Sequence, residues 1–105
     1  MSLDEIRESI KKEVGVLLYF STPTCNVCKA VEPKLKSEFK KNFPLIKIIS
    51  IDSTVSPEIS ADFQVFSAAT TLLYLDGKEF AREGRNISID GFIHSTSRVY
   101  ELLIS

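Results

Sequence analysis

The sequence predicts an α/β fold with four strands, both parallel and antiparallel strand pairing, and about four helices. A strand, a helix and a second strand follow one another between residues 14 and 51, which is the order of a right-handed parallel crossover unit. Asp76 and Gly77 then separate two strand-like segments, as in an antiparallel hairpin. Because the chain has 105 residues, of which 44% are hydrophobic, we expect a single domain over residues 1–105.

Helix, strand, helix and strand are predicted in turn for the first half of the chain. Ser2 and Glu5 are spaced as a capping box at the start of a helix over residues 3–12. Residues 14–20 form an apolar run typical of a strand that is covered on both faces, and residues 45–51 predict a second, mostly buried strand that ends at Asp52. The amphipathic helix between these strands has apolar residues at every fourth position, namely Val27, Val31, Leu35 and Phe39.

The second half predicts a short helix, a hairpin and a closing helix. Ser56 and Pro57 supply an N-cap and a first-turn proline for a helix over residues 57–63. Residues 70–75 and the charged segment 78–83 predict two strands, the second suited to a sheet edge. Ser88 can cap a final helix, whose apolar face consists of Ile89, Phe92, Ile93, Thr96, Val99, Tyr100 and Leu103.

Charge and hydropathy exclude several classes of partner. The chain has 13 Lys and Arg residues against 14 Asp and Glu residues, so no strong overall field favours nucleic acid or an anionic membrane. The longest apolar run is too short to span a membrane, and the first residues are acidic where a signal peptide is basic. We therefore expect a cytoplasmic protein with neither a nucleic-acid nor a membrane partner.

The only two cysteines, Cys25 and Cys28, lie where the first strand ends and the next helix begins. Two intervening residues in a first helical turn bring the sulfurs close enough to form a disulfide or to bind one metal ion. The unpaired amides and positive dipole end of a helix N-terminus favour thiolate over thiol, and Lys29 adds to this effect. We expect Cys25 to be the more acidic and more exposed sulfur and the nucleophile, and Cys28, one turn further into the helix and against the core, to attack second.

Three other interpretations of this cysteine pair compete with redox chemistry. The cysteines could be small buried hydrophobic residues, or regulatory thiols in a binding module. A zinc site needs four ligands, and His94 is the one further soft ligand, expected to be solvated. No metal or other cofactor is therefore expected in a monomer, whereas a dimer that shares two cysteine pairs across a metal or iron–sulfur cluster stays open.

Together, the order of elements, the Cys-x-x-Cys-Lys motif and Pro33, eight residues after Cys25, resemble the thioredoxin superfamily over residues 3–104. The resemblance implies a thioredoxin-like fold with a four-stranded mixed sheet in the order 2-1-3-4, flanked by helices and lacking the extra N-terminal strand of full thioredoxins. It also implies a monomeric thiol–disulfide oxidoreductase that acts on protein disulfides through Cys25 and Cys28, with an electron donor that the sequence does not name.

The resemblance also assigns roles around the cysteines. It implies substrate contacts at Thr24, Asn26, Val27, Ala68 and Ala69. It implies supporting roles for Lys29, Pro33 and Tyr19.

Several helper positions depart from the thioredoxin pattern. The tryptophan before the first cysteine is Thr24 here, and Gly-Pro between the cysteines is Asn26-Val27. The buried carboxylate of the family falls on Tyr19 and its companion lysine on Ile48, so that neither residue can shuttle protons as the family pair does. We expect Tyr19 to act in packing, with a hydroxyl contribution near Cys28 as the alternative.

A further departure lies in the loop that faces the cysteines. Ala69 occupies the position of the family's cis-proline. Without a proline, a cis bond costs about 2.5–4 kcal/mol, so we expect a trans Ala68–Ala69 peptide and a reshaped loop. The main-chain groups of Ala68 are then expected to be displaced, and the cysteine face to be more open to a metal or cluster.

Overall fold

Eight elements of secondary structure make up the computed structural model, which describes residues 1–105. In chain order, they are α1 (Leu3–Lys12), β1 (Gly15–Ser21), α2 (Asn26–Asn42), β2 (Ile46–Asp52), α3 (Pro57–Asp62), β3 (Thr70–Leu75), β4 (Lys78–Glu83) and α4 (Ile89–Ile104). The predicted elements are all present, with ends that differ by a few residues from those expected.

The four strands form one mixed sheet in the order β2-β1-β3-β4. β1 pairs in parallel with β2 and antiparallel with β3, and β3 pairs antiparallel with β4. This arrangement confirms the predicted fold class and strand order. The register sets Tyr19 of β1 beside Ser50 of β2 and Thr71 of β3, so the three side chains point to the same face of the sheet.

Each face of the sheet is covered by two helices. β1 alternates between the two cores: Leu17 and Tyr19 pack with residues of α2 and α4, whereas Leu18 and Phe20 pack with residues of α1 and α3. Because a central strand is covered on both sides, its sequence is continuously apolar, as expected. Both cysteines belong to the core on the α2 and α4 face.

β2 is less buried than its sequence suggests. Ile46, Ile49 and Ile51 are buried, but Lys47 and Ser50 are exposed. The expectation of a mostly buried strand was wrong because β2 lies at the edge of the sheet and pairs with β1 alone. An edge strand leaves one row of main-chain groups facing outward, where charged and polar side chains are favoured.

Helix caps follow the sequence at two of the three sites predicted. Ser2 and Glu5 form the reciprocal capping box of α1, and the Ser88 hydroxyl accepts from the Gly91 N–H at the start of α4. Ser56 is the N-cap residue of α3 and Pro57 its first helical residue, as predicted, but the Ser56 side chain makes no capping hydrogen bond. Its backbone angles, φ −128° and ψ 63°, depart from the extended conformation that directs a capping oxygen toward the first helical turn.

The hairpin between β3 and β4 turns at Asp76 and Gly77, as predicted. Their φ angles are 54° and 79°, and a two-residue turn with both angles positive is one that Asp-Gly favours.

None of the helices combines the length and apolar character that crossing a membrane requires.

Candidate active site

Cys25 and Cys28 form a disulfide at the N-terminus of α2. Their Cα atoms are 5.3 Å apart, within the usual range for a bridged pair. Cys25 is the N-cap residue, and the Cys28 N–H donates to its Sγ atom at 3.1 Å. An N–H directed at this sulfur also stabilises negative charge on it once the disulfide is reduced.

Both cysteines are buried, Cys25 slightly less than Cys28. Cys25 is 7% exposed and Cys28 is 3% exposed, and both lie in the same apolar cluster. Around them, Thr24 and Asn26 are exposed and Val27 is half-buried. Exposed and half-buried side chains thus flank Cys25 on both sides at the start of α2.

The loop opposite the cysteines is fixed to strand β1 by a main-chain hydrogen bond at Ala69. No peptide bond in the chain is cis, which confirms the expected trans peptide between Ala68 and Ala69. Ala69 has a φ of +64°, in the left-handed region that residues with a Cβ rarely adopt, and its N–H donates to the Phe20 carbonyl at 3.0 Å. Its side chain is 2% exposed and belongs to the cluster that contains both cysteines, so it fills this part of the core.

Ala68 lies one residue closer to the surface and presents free main-chain groups. Its N–H and carbonyl make no hydrogen bond to the rest of the backbone. It lines a cavity of about 230 Å³ together with Thr22, Ser67 and Phe66. Phe66 is 84% exposed, so an aromatic side chain stands at the edge of this cavity.

The cysteine geometry and the fold find close parallels among known proteins. The family model described as Thioredoxin matches residues 1–94. The chain belongs to the thioredoxin family. Its Cys25–Cys28 pair at disulfide distance is the redox pair of a thiol–disulfide oxidoreductase of this family.

Relatives and solved structures agree with this assignment. The chain is 37% identical to the thioredoxin-like protein YdfQ of Bacillus subtilis over 101 residues, covering 96% of this chain and 89% of YdfQ. It is 33% identical to thioredoxin 1 of Thermosipho africanus, with a TM-score of 0.75 over 86% of this chain and 99% of that one. Trxlp of Edwardsiella tarda shares the fold at a TM-score of 0.80 and 20% identity, over 90% and 93% of the two chains.

This thioredoxin-family chain carries Tyr19 at the position to which the thioredoxin pattern assigns a buried carboxylate. Tyr19 is 1% exposed, and its hydroxyl has no hydrogen-bond partner. Burial raises the pKa of the Tyr19 hydroxyl, and the negative charge of Glu32 raises this pKa further. Ile48 is half-buried at the position of the companion lysine and packs against the same apolar cluster. Neither of these two sheet positions therefore offers Cys28 a carboxylate.

Glu32 is a further charged residue of this site that sequence reasoning did not single out. It follows Cys28 by one helical turn, and its carboxylate accepts from the Ser50 hydroxyl at 2.7 Å and pairs with Lys36 at 2.9 Å. A cavity of about 450 Å³ is lined by Cys28 and Glu32, and its wall also includes Lys29 and Pro33. The spacing of four residues from Cys28 was the available signal, since residues i and i+4 share a helix face.

The residues of this chain that could bind a metal ion do not cluster. No group of three or more His, Cys, Asp or Glu side chains lies close enough together to hold a metal ion. His94 is exposed on α4. Within one chain, the cysteine pair thus lacks the further ligands that a four-coordinate site needs, and a cluster shared between two chains stays a prediction.

Proposed function

We propose that the protein reduces disulfides of protein substrates in the cytosol, acting as a monomer that contributes to cellular redox homeostasis. Cys25 is the nucleophile and Cys28 the resolving thiol, and a separate electron donor returns the pair to the dithiol. The observation that carries this proposal is the Cys28 N–H directed at Cys25 Sγ, at the N-terminus of α2 in a thioredoxin-family chain.

The reaction consists of two thiol–disulfide exchanges. The Cys25 thiolate attacks one sulfur of the substrate disulfide, which forms a mixed disulfide and releases the other substrate sulfur as a thiolate. Cys28 then loses its proton and attacks Cys25 Sγ, which forms the Cys25–Cys28 disulfide and releases the second substrate thiolate. The substrate gains two electrons and two protons, and the dithiol is oxidised.

Substrate binding is assigned to the two segments that flank the sulfurs. The unpaired N–H and carbonyl of Ala68 offer an extended peptide one unit of strand-like pairing. Ala69 supports this pairing, because its N–H bond to Phe20 holds the loop in position. On the other side, Thr24, Asn26 and Val27 surround Cys25 at the start of α2 and contact the residues next to the substrate disulfide.

Two residues that follow Cys28 complete the proposed site. The ammonium group of Lys29 favours thiolate at the helix N-terminus. Pro33 lacks an N–H, so the Lys29 carbonyl has no helical partner at that position, and we expect α2 to bend there.

An insulin-reduction assay with dithiothreitol tests the proposal. The wild-type protein should shorten the time to turbidity relative to dithiothreitol alone, and Cys25→Ser should remove the acceleration completely. Thermal unfolding of both proteins confirms that each is folded. Equal turbidity rates for wild type and Cys25→Ser would contradict the proposed function.

A further inference from the structure

We propose that Glu32 accepts the proton of the Cys28 thiol when Cys28 attacks the mixed disulfide, a task for which Tyr19 and Ile48 of the sheet provide no carboxylate. This inference rests on the proposed oxidoreductase function. Four observations carry it: helical spacing, a shared cavity, a fixed carboxylate with one free oxygen, and a buried hydroxyl close to its charge.

Helical spacing places Glu32 beside Cys28. Both residues lie in α2 and are separated by four positions, which corresponds to about 5–6 Å between Cβ atoms on one face of a helix. Both also line the same cavity of about 450 Å³. A proton can therefore pass from the Cys28 sulfur to the carboxylate directly or through one water molecule in that cavity.

The Glu32 carboxylate is held in place with one oxygen left free. Ser50 of β2 donates its hydroxyl hydrogen to Oε2, and Lys36 of α2 pairs with the same Oε2 atom. No hydrogen bond is made to Oε1, which is the oxygen available to take a proton. The Glu32 side chain is 20% exposed, so the group is partly shielded from solvent while the cavity keeps it accessible.

Tyr19 is a buried group of the cysteine core that lies close enough to Glu32 to interact with its charge. Its buried hydroxyl belongs to the same face of the sheet as Ser50, and its pKa is raised by burial and then by the Glu32 charge. The titratable and polar groups around Glu32 are therefore Tyr19 from β1, Ser50 from β2, and Lys29 and Lys36 from α2. None of the other groups is a base that takes up a proton near neutral pH.

The step balances in atoms and electrons. The Cys28 S–H bond breaks, its proton moves to Glu32 Oε1, and the sulfur's electron pair forms a bond to Cys25 Sγ. The bond between Cys25 and the substrate sulfur breaks, and its electron pair leaves with the substrate thiolate. The protonated Glu32 then returns the proton to that thiolate or to solvent, which restores the carboxylate.

The test uses a reagent that reports the two attacks separately. When the reduced protein meets dithionitrobenzoate, attack by Cys25 releases a first coloured thiolate, and attack by Cys28 on the resulting mixed disulfide releases a second. Stopped-flow absorbance is recorded for wild type, Glu32→Gln and the control Glu38→Gln. Glu38 lies ten residues beyond Cys28 in α2, about 15 Å along the axis, and its replacement removes the same charge from the same helix.

Glu32→Gln should slow the second release by about ten- to thirtyfold at pH 7 and leave the first release unchanged within about twofold. Without a base, only the thiolate fraction of Cys28 reacts, and a free thiol with a pKa near 8.5 is about 3% thiolate at that pH. The second rate of the variant should therefore rise about tenfold per pH unit toward pH 8, while that of wild type changes less. Glu38→Gln should match wild type in both phases.

The other outcomes are distinct. A carboxylate that acted through its charge alone would disfavour the Cys28 thiolate, so a faster second release in Glu32→Gln would overturn the assignment. So would an unchanged second release, or an equal slowing in Glu38→Gln. If wild type itself gave no first release that depends on Cys25, the proposed oxidoreductase function would fail, and the role of Glu32 with it. Glutamine keeps the size and acceptor oxygen of Glu32, and thermal unfolding checks that the variant is folded.

Discussion

Replacing Ala69 with proline tests how the loop opposite the cysteines is held. The thioredoxin pattern has proline at this position, so the substitution would look favourable from sequence alone. The structure predicts the opposite. Ala69 has a φ of +64° and donates its N–H to the Phe20 carbonyl, whereas proline fixes φ near −65° and has no N–H.

The expected loss of stability follows from these two incompatibilities. The Phe20 residue is fully buried, and a buried carbonyl left without its donor costs about 1–3 kcal/mol. A proline placed where the native φ excludes it costs at least about 1 kcal/mol more. We therefore expect Ala69→Pro to lower the free energy of unfolding by about 2–4 kcal/mol, which corresponds to a fall in Tm of about 8 °C or more.

Urea denaturation followed by circular dichroism measures this difference, with Ala69→Gly as the matched control. Glycine keeps the N–H and relieves a left-handed conformation that costs an alanine about 1 kcal/mol. It also removes a buried methyl group worth about 0.8 kcal/mol, so the control should lie within about 1 kcal/mol of wild type. If Ala69→Pro proved as stable as wild type, the assigned roles of the Ala69 φ angle and its N–H bond would be refuted.

Two further predictions concern the buried hydroxyl of Tyr19 and the half-buried carboxylate of Asp52. Tyr19→Phe should raise the free energy of unfolding by about 1 kcal/mol, because the Tyr19 hydroxyl is buried without a partner; a loss of stability in urea denaturation would contradict this. Hydrogen bonds from Thr54 lower the pKa of Asp52 in the folded state, so the ionised Asp52 carboxylate stabilises the fold. This contribution to the free energy of unfolding is fully present above the unfolded-state pKa near 4 and is lost as pH falls through the folded-state pKa. The free energy of unfolding, measured by urea denaturation, should therefore fall less for Asp52→Asn than for wild type between about pH 5 and pH 3. An equal fall in the two proteins would contradict a stabilising role of the Asp52 carboxylate.

Local patterns were sufficient to predict most of the fold. The capping box at Ser2 and Glu5 and the Asp76-Gly77 turn depend on residues within a few positions of one another, and both formed as expected. The continuous apolar run of β1 indicated a strand with a helix layer on each side, which the structure confirms. Such features are set by backbone preference and by burial periodicity, which a single sequence displays.

The features that the sequence did not predict depend on contacts between distant segments. The burial of β2 was overestimated because its neighbours are set by the assembled sheet and not by its own composition. The Ser56 hydroxyl makes no capping hydrogen bond because the φ and ψ angles of Ser56 differ from those of an extended N-cap residue, and local residue types do not determine these angles. Glu32 was overlooked because its orientation depends on Ser50, 18 positions away on another element.

The proposed role of Glu32 is connected with the absence of a carboxylate and a lysine at two positions of the sheet. Tyr19 and Ile48 replace the two polar helpers of the family pattern, and the face that they share is covered by α2 and α4. A carboxylate that serves Cys28 must then come from a covering helix and needs a polar partner at the rim of the sheet. Position 32 meets the first requirement, since it lies one turn from Cys28, and Ser50 on the edge strand meets the second. The half-exposed character of β2 is thus what allows a charged side chain to approach the resolving cysteine without the cost of full burial.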